Sequence, residues 1–117
     1  MTRRQTRRIQ QRLLVTYNKA VDLELALRQK GQHAQSEDAR LRANTLRRRI
    51  DELRGVAWSQ WRGAATTLDV ELGRNNTKLQ RSIRKIEQTK ELAQEVVEAL
   101  KYVDEAIATA VEIAASP

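Results

Sequence analysis

The sequence predicts an all-α protein, an elongated antiparallel three-helix bundle running up-down-up with coiled-coil-like packing. Three observations carry that expectation. The 117 residues include one Pro, four Gly, no Phe and only four aromatic residues, Tyr17, Trp58, Trp61 and Tyr102. A chain so poor in turn residues and aromatics, and rich in Ala, Glu, Lys, Leu and Arg, reads as long helices around a thin aliphatic core. Apolar residues also recur at steps of three and four over three long stretches, the spacing that keeps one face of a helix dry. The two clearest breaks fall at Gly31 and Gly73. The length fits a single helical domain over residues 1–117.

The first helix is expected over about residues 3–30. Ile9, Leu13, Thr16, Ala20, Leu23 and Leu27 form its inner row, and Leu14, Tyr17 and Val21 widen it. The stretch 31–35 has no apolar anchor larger than Ala. Ser36 is then expected as an N-cap, with Glu37 and Asp38 near the positive end of the helix dipole.

The second helix is expected over 36–72, from Ala39, Ala43, Leu46, Ile50, Leu53, Ala57, Trp61, Ala64 (or Ala65), Leu68 and Leu72. Gly55 and Gly63 lie inside that period. Each costs up to about 1 kcal/mol against Ala, which one long helix tolerates. Gly73 is placed as the C-terminal glycine, and Asn75, Asn76 or Thr77 as the restart.

The third helix is expected over 75–115. Leu79, Ile83, Ile86, Ala93, Val97, Leu100, Ile107 and Val111 give it its apolar row, interrupted by Lys90 and Asp104. At 1.5 Å per residue the three helices would be about 42, 55 and 60 Å long.

Charge is distributed unevenly. Residues 1–85 hold 20 cations against eight carboxylates, and residues 86–117 hold two against seven. In an up-down-up bundle, the start of the first helix and the segment 74–85 meet at one end. The expected result is a basic pole of Arg3, Arg4, Arg7, Arg8, Arg74, Lys78, Arg81, Arg84 and Lys85, joined by Arg54 and Arg62. These are the candidate anion-binding residues. With a net charge of +7 and a pI near 10.4, such a pole suits a nucleic-acid phosphate backbone. Arg40, Arg47 and Arg54, with the run Arg47-Arg48-Arg49, form a second basic stripe. No helix-turn-helix spacing, zinc pattern or aromatic interleaving for single strands accompanies these cations.

Because the first helix is the shortest, the hairpin tip at about 65–84 is expected to lack a third helix beside it. Trp58, Trp61, Leu68, Leu72 and Leu79 are therefore the candidate partner-binding residues, for another protein or a second copy. The leading functional expectation is a non-enzymatic interaction or scaffold module working through helix-face contacts. Nucleic-acid association through the basic pole is the alternative.

Trp61-Arg62-Gly63 spells W-x-G and resembles the turn of small secreted helical-hairpin proteins that bear this tripeptide. The likeness covers those three letters. Here the tripeptide falls inside a continuing apolar period, and Tyr102 is followed four residues on by Ala106 where the usual export tail has an acid. No family follows from it.

Other chemistry finds little footing. There is no Cys, and the single His33 falls in an expected loop, so neither a metal nor a nucleophile site is implied. Glu91, Glu98, Glu105 and Glu112 recur every seven residues opposite the apolar row, as a solvated acidic face does. The four Gly stand alone and make no phosphate loop. The reading therefore includes no enzyme, cofactor or small-molecule substrate. No apolar run reaches the roughly 20 residues of a membrane span. The apolar face of the first helix is claimed by the bundle and is not expected on a membrane surface. The acid-free residues 1–20 could imitate an organelle presequence, but they run smoothly into the first helix, and a cytoplasmic protein is expected.

Overall fold

A computed structural model describes residues 2–58, 61, 63–90 and 93–115, which form four α-helices rather than three. These are α1 (Arg3–Gln29), α2 (His33–Glu52), α3 (Ala65–Gln88) and α4 (Ala93–Ala115), with a short 3-10 turn at Leu53–Gly55. The expected 36–72 and 75–115 helices are thus both corrected: each is cut by a connection, at 53–64 and at 89–92. The Cα trace measures 47 × 22 × 17 Å, too short for a 60 Å helix.

The first hairpin follows the sequence closely. Thr2 caps α1 in a reciprocal box: its hydroxyl accepts from the Gln5 N–H at 3.1 Å, and the Gln5 side chain accepts from the Thr2 N–H at 2.9 Å. At the other end Gly31 takes φ +75°. Its N–H donates to the Arg28 carbonyl (3.0 Å) and the Gln32 N–H to that of Leu27 (2.9 Å), a Schellman stop that favours glycine. Ser36 is not the N-cap. It lies one turn inside α2, buried, and its hydroxyl donates to the Glu24 carbonyl at 3.0 Å, tying α2 to α1.

The second connection begins where Gly55 ends the 3-10 turn and Val56 turns extended. Trp58 and Trp61 then fold over the end of the core beside Ile9, Leu53 and Ile113, ring centroids 6.2 Å apart and edge to face. The Trp58 indole N–H donates to the Leu53 carbonyl at 3.2 Å, which also accepts from the Val56 N–H at 3.2 Å. Gly63 has no side chain because an added Cβ would run into the Trp61 indole. The W-x-G tripeptide therefore lies in a connection between helices, with Arg62 itself outside the described residues. Residues that plug a core are apolar too, which is why they imitated a continuing helix.

Gly73, Asn75 and Asn76 neither end nor restart a helix; all three lie inside α3. Gly73 faces Arg12, whose Cζ would stand 3.3 Å from an added Cβ. Asn76 donates to the Arg12 carbonyl at 3.0 Å and accepts from the Thr16 hydroxyl. Asn75 donates to the Tyr102 carbonyl of α4 at 2.8 Å. Buried amides are tolerated in a helix interior when neighbouring helices supply partners.

These contacts set the topology. Arg12 meets Asp69, Thr16 meets Asn76 and Lys19 meets Gln80, so α1 and α3 lie side by side and parallel. Arg42 meets Asp104, while Ala39 and Ala43 share one core half with Val96 and Val103, and Leu46 and Ile50 share the other with Ala110 and Ile113. Helices α2 and α4 are therefore parallel as well. Each of α1 and α4 packs on both α2 and α3. Going round the bundle the order is α1, α2, α4, α3, and residues 53–64 cross the diagonal at one end. The layer of Thr16, Asn75 and Asn76 separates the two halves of the apolar core. Among the described residues no helix is long and apolar enough to cross a membrane.

Candidate polyanion-binding face

The hairpin tip expected to lie uncovered does not exist as such. Leu72 and Leu79 are buried against α1 and α4, and Trp58, Trp61 and Leu68 are half-buried on the same core. Four helices of similar length leave no segment of α3 projecting, so these five residues serve the core.

The expected basic pole is also redrawn. Because α3 starts at Ala65, residues 74–85 lie beside the middle and second half of α1, away from the end where α1 begins. The charge separation runs across the bundle instead of along it. Helix α1 carries seven cations and two carboxylates, and α3 five and three, a joint balance of +7. Helix α2 carries five and four, and α4 one and five, a joint balance of −3.

On α3, Arg74, Lys78, Arg81 and Lys85 follow at steps of four, three and four, one exposed stripe at 100° per residue. Arg84 sits beside it on the α1 side. None of these five makes an ion pair among the described residues, and no acid interrupts 74–85. On α1 the same periodicity places Arg4, Arg8, Arg12 and Lys19 toward α3. Arg12 Nε is 2.9 Å from Asp69 Oδ1, and Arg8 Nε lies 3.9 Å from Oδ2 of the same carboxylate. Lys19 Nζ donates to Gln80 Oε1 at 2.6 Å. These contacts hold the α1 cations against the seam without matching their charge. A shallow cleft opens there, lined by Arg12, Gly73, Arg74, Thr77, Lys78 and Arg81.

Of the nine sequence-predicted anion-binding residues, Arg4, Arg8 and Arg84 border the α1/α3 seam, Arg81 points outward, and Arg74, Lys78 and Lys85 lie toward the side that α3 shares with α4, where Asn75 and Glu71 turn. Arg3 and Arg7 are exposed but turn to the flank of α1. Arg12 and Lys19 stand at the same seam and were missed, because it is the start of α3 at Ala65 that sets Asp69 and Gln80 beside them. Asp69, already paired, and Asp22 are the carboxylates among them.

The Arg40, Arg47, Arg54 stripe behaves differently. Arg40 pairs with Glu37, Arg47 and Arg54 stand 3.8 Å from Asp51, and Arg49 pairs with Glu52 at 3.1 Å. Arg47 also covers the Tyr17 ring at 5.6 Å. Glu37 is held below its ordinary pKa by the hydrogen bond from Arg40. In the acidic row, Glu105 and Glu112 are exposed and Glu98 half-exposed; Glu91 lies outside the described residues. His33 is exposed at the start of α2. Among the described residues no three His, Cys, Asp or Glu side chains come close enough to hold a metal. No family model matches the chain, and no curated protein or solved structure matches it.

Proposed function

We propose that this chain is a non-enzymatic helical interaction module whose α1/α3 face binds the phosphate backbone of nucleic acid without reading bases. One observation carries the reading. Arg12 of α1 and Arg74, Lys78 and Arg81 of α3 line one shallow cleft, with Arg8 beside Arg12 on Asp69, and the α3 cations make no ion pair among the described residues. Cations in such excess over carboxylates release counterions on meeting a phosphate polymer, which drives sequence-independent binding. Nothing in the sequence marks a base-reading motif beside these cations, and Gln80 is already held by Lys19. A cytoplasmic site of action goes with this reading.

The test is fluorescence-anisotropy titration with a generic oligonucleotide across a salt series. Replacing Arg74, Lys78, Arg81 and Lys85 together by Gln is expected to weaken binding. The slope of log K against log salt should fall by roughly 3–4, near 0.9 for each phosphate no longer neutralised. An unchanged slope overturns the assignment of this face.

A protein partner or second copy is the second reading, supported by a different surface. On α4, Val97 is 67% exposed and Val111 39%, with exposed Ala108 on the same side, facing away from the basic face. Sedimentation velocity checks it: concentration-dependent association lost in Val97→Asp supports it, and a monomer at all concentrations removes it.

A further inference from the structure

We infer that the outer side of α4 takes the outer side of α1 from a second copy of this chain, so that copies join side by side in an open row; the inference rests on the second reading above, which gives the α4 surface a partner, and it names that partner. Helices α1 and α4 stand at opposite corners of the bundle. Each packs on both α2 and α3, and the two also touch across the core. Their outer sides therefore point in opposite directions. Helix α1 carries seven cations and two carboxylates, and α4 one and five. Two α4 sides would repel each other, and so would two α1 sides. An α1 side against an α4 side attracts, and the same charges suppress the wrong pairings.

The match extends to individual positions. The buried row of α1 runs from Ile9 to Leu27, and that of the antiparallel α4 from Ile113 back to Val96. Ile9 and Ile113 share one half of the core, Leu27 and Val96 the other. Residues of the two helices at one level therefore have numbers that sum to about 122, as 9 and 113 do. At 100° per residue, Arg7, Asp22 and Leu25 lie on the side of α1 turned from its buried row, with Val15 at the edge. Val97, Lys101, Ala108 and Glu112 lie on that side of α4, and all eight are exposed. Level by level, Leu25 stands with Val97, Asp22 with Lys101, Val15 with Ala108, and Arg7 within one turn of Glu112. Lys101 is the single cation of α4. It falls level with the one carboxylate on the outer side of α1, since Glu24 turns to Arg28. Neither Asp22 nor Lys101 makes an ion pair among the described residues. Val97, Leu100 and Ala108 also line a shallow groove beside Lys101, which can receive Leu25. Sideways displacement of one copy, without rotation or sliding, sets all four pairs face to face.

Helices of this length are about 35–40 Å long and about 10 Å across. Each side therefore buries roughly 350–400 Å², about half of the 800 Å² per partner of a standard stable interface. The association is accordingly weak and grows with concentration. Because the two surfaces differ, the contact is heterologous and the row does not close. Every copy in it turns α3 to the same edge, which multiplies the cations available to a phosphate polymer.

Sedimentation velocity over a concentration series tests this on the full chain and on two variants that each block one side, Leu25→Asp on α1 and Val97→Asp on α4. Both positions are exposed, and circular dichroism establishes that each variant folds. Each variant alone is expected to stay monomeric where the full chain associates. The mixture retains one sound α1 side and one sound α4 side, and is expected to form pairs that grow no further. Asp22→Lys and Lys101→Asp should each weaken association about tenfold, and the two together should recover it. Three results overturn the inference and leave the α4 surface to a different partner: self-association of Leu25→Asp like that of the full chain, no pairing in the mixture, or no recovery in the double variant. A full chain that stays monomeric at every concentration overturns this inference and the second reading together.

Discussion

Helices α2 and α3 each carry five cations, yet only one of them presents a charged surface. On α2, carboxylates stand three or four residues from the arginines, and Glu37, Asp51 and Glu52 take up Arg40, Arg47 and Arg49. Such i, i+3 and i, i+4 pairs neutralise the helix locally while adding only tenths of a kcal/mol each. On α3 the window 74–85 offers no acid, and its cations make no ion pair among the described residues. The difference shows that the number of cations does not make a binding face. The spacing of carboxylates along the same helix decides it, and the neighbouring helix then adds to it or cancels it. Beside α3 lies α1, with five arginines in its first ten helical residues.

The comparison depends first on the register that puts Arg12 and Lys19 beside α3. Asn76 holds that register through the Thr16 hydroxyl and the Arg12 carbonyl, at 5% exposure. Removing a buried hydrogen-bonding partner leaves desolvated groups behind at about 1–3 kcal/mol. Asn76→Ala is therefore expected to lower the unfolding free energy by that amount, measured by urea titration with circular dichroism. Because Arg12 shares a cleft with Arg74, Lys78 and Arg81, the substitution should also weaken oligonucleotide binding although every cation is kept. A stability loss without any loss of binding would detach the face from the register.

The contrast itself can be erased. Thr77 is exposed between Arg74 and Arg81, three and four residues from each. Thr77→Glu gives α3 the carboxylate spacing of α2. Oligonucleotide affinity should fall about tenfold at low salt, equivalent to about 1.4 kcal/mol, and the melting temperature should scarcely change. Retained affinity would mean that local pairing does not govern the face.

Much of this was legible beforehand, and the failures have a common physical cause. The spacing of Ile9, Leu13, Ala20, Leu23 and Leu27 and the glycine at 31 marked α1 and its stop, since both are local signals. The acid-free window 74–85 was equally visible. What could not be read were groups whose partners lie far along the chain. Asn75 and Asn76 look like helix breakers until Tyr102 and Arg12 supply their carbonyl partners. Trp58 and Trp61 look like helix core until the end of the bundle receives them. One missed break at 53–64 lets α3 start at Ala65, which moves residues 74–85 along α1 to its middle and turns an expected pole into a side.

Gly73 offers a finer probe of the same seam. Glycine inside a helix costs up to about 1 kcal/mol against Ala. An added methyl would meet Arg12 at 3.3 Å, the far end of a flexible side chain that can move aside. Gly73→Ala is expected to raise stability by less than about 1 kcal/mol and to leave oligonucleotide affinity nearly unchanged. A destabilised variant would show that the Arg12 guanidinium is held more rigidly by Asp69 than its exposure suggests.

The smallest effect belongs to α2. The hydrogen bond from Arg40 holds the Glu37 carboxyl below its ordinary value of 4.5. A carboxyl whose pKa is depressed on folding stabilises the fold above its unfolded pKa, and that contribution is lost as pH falls through the folded value. Arg40 remains charged throughout and adds no pH dependence of its own. Relative to Glu37→Gln, the parent chain should therefore show a small, constant advantage in urea midpoint at neutral pH. The gap should shrink once the pH drops below about 4.5 and close when the carboxyl is protonated in both states. Added salt should narrow it at neutral pH, because the pair is exposed and screened. A gap that survives full acidification would place its origin in helix propensity rather than in the ion pair. The neutralisation of α2 would then depend on its other pairs, Arg47–Asp51 and Arg49–Glu52.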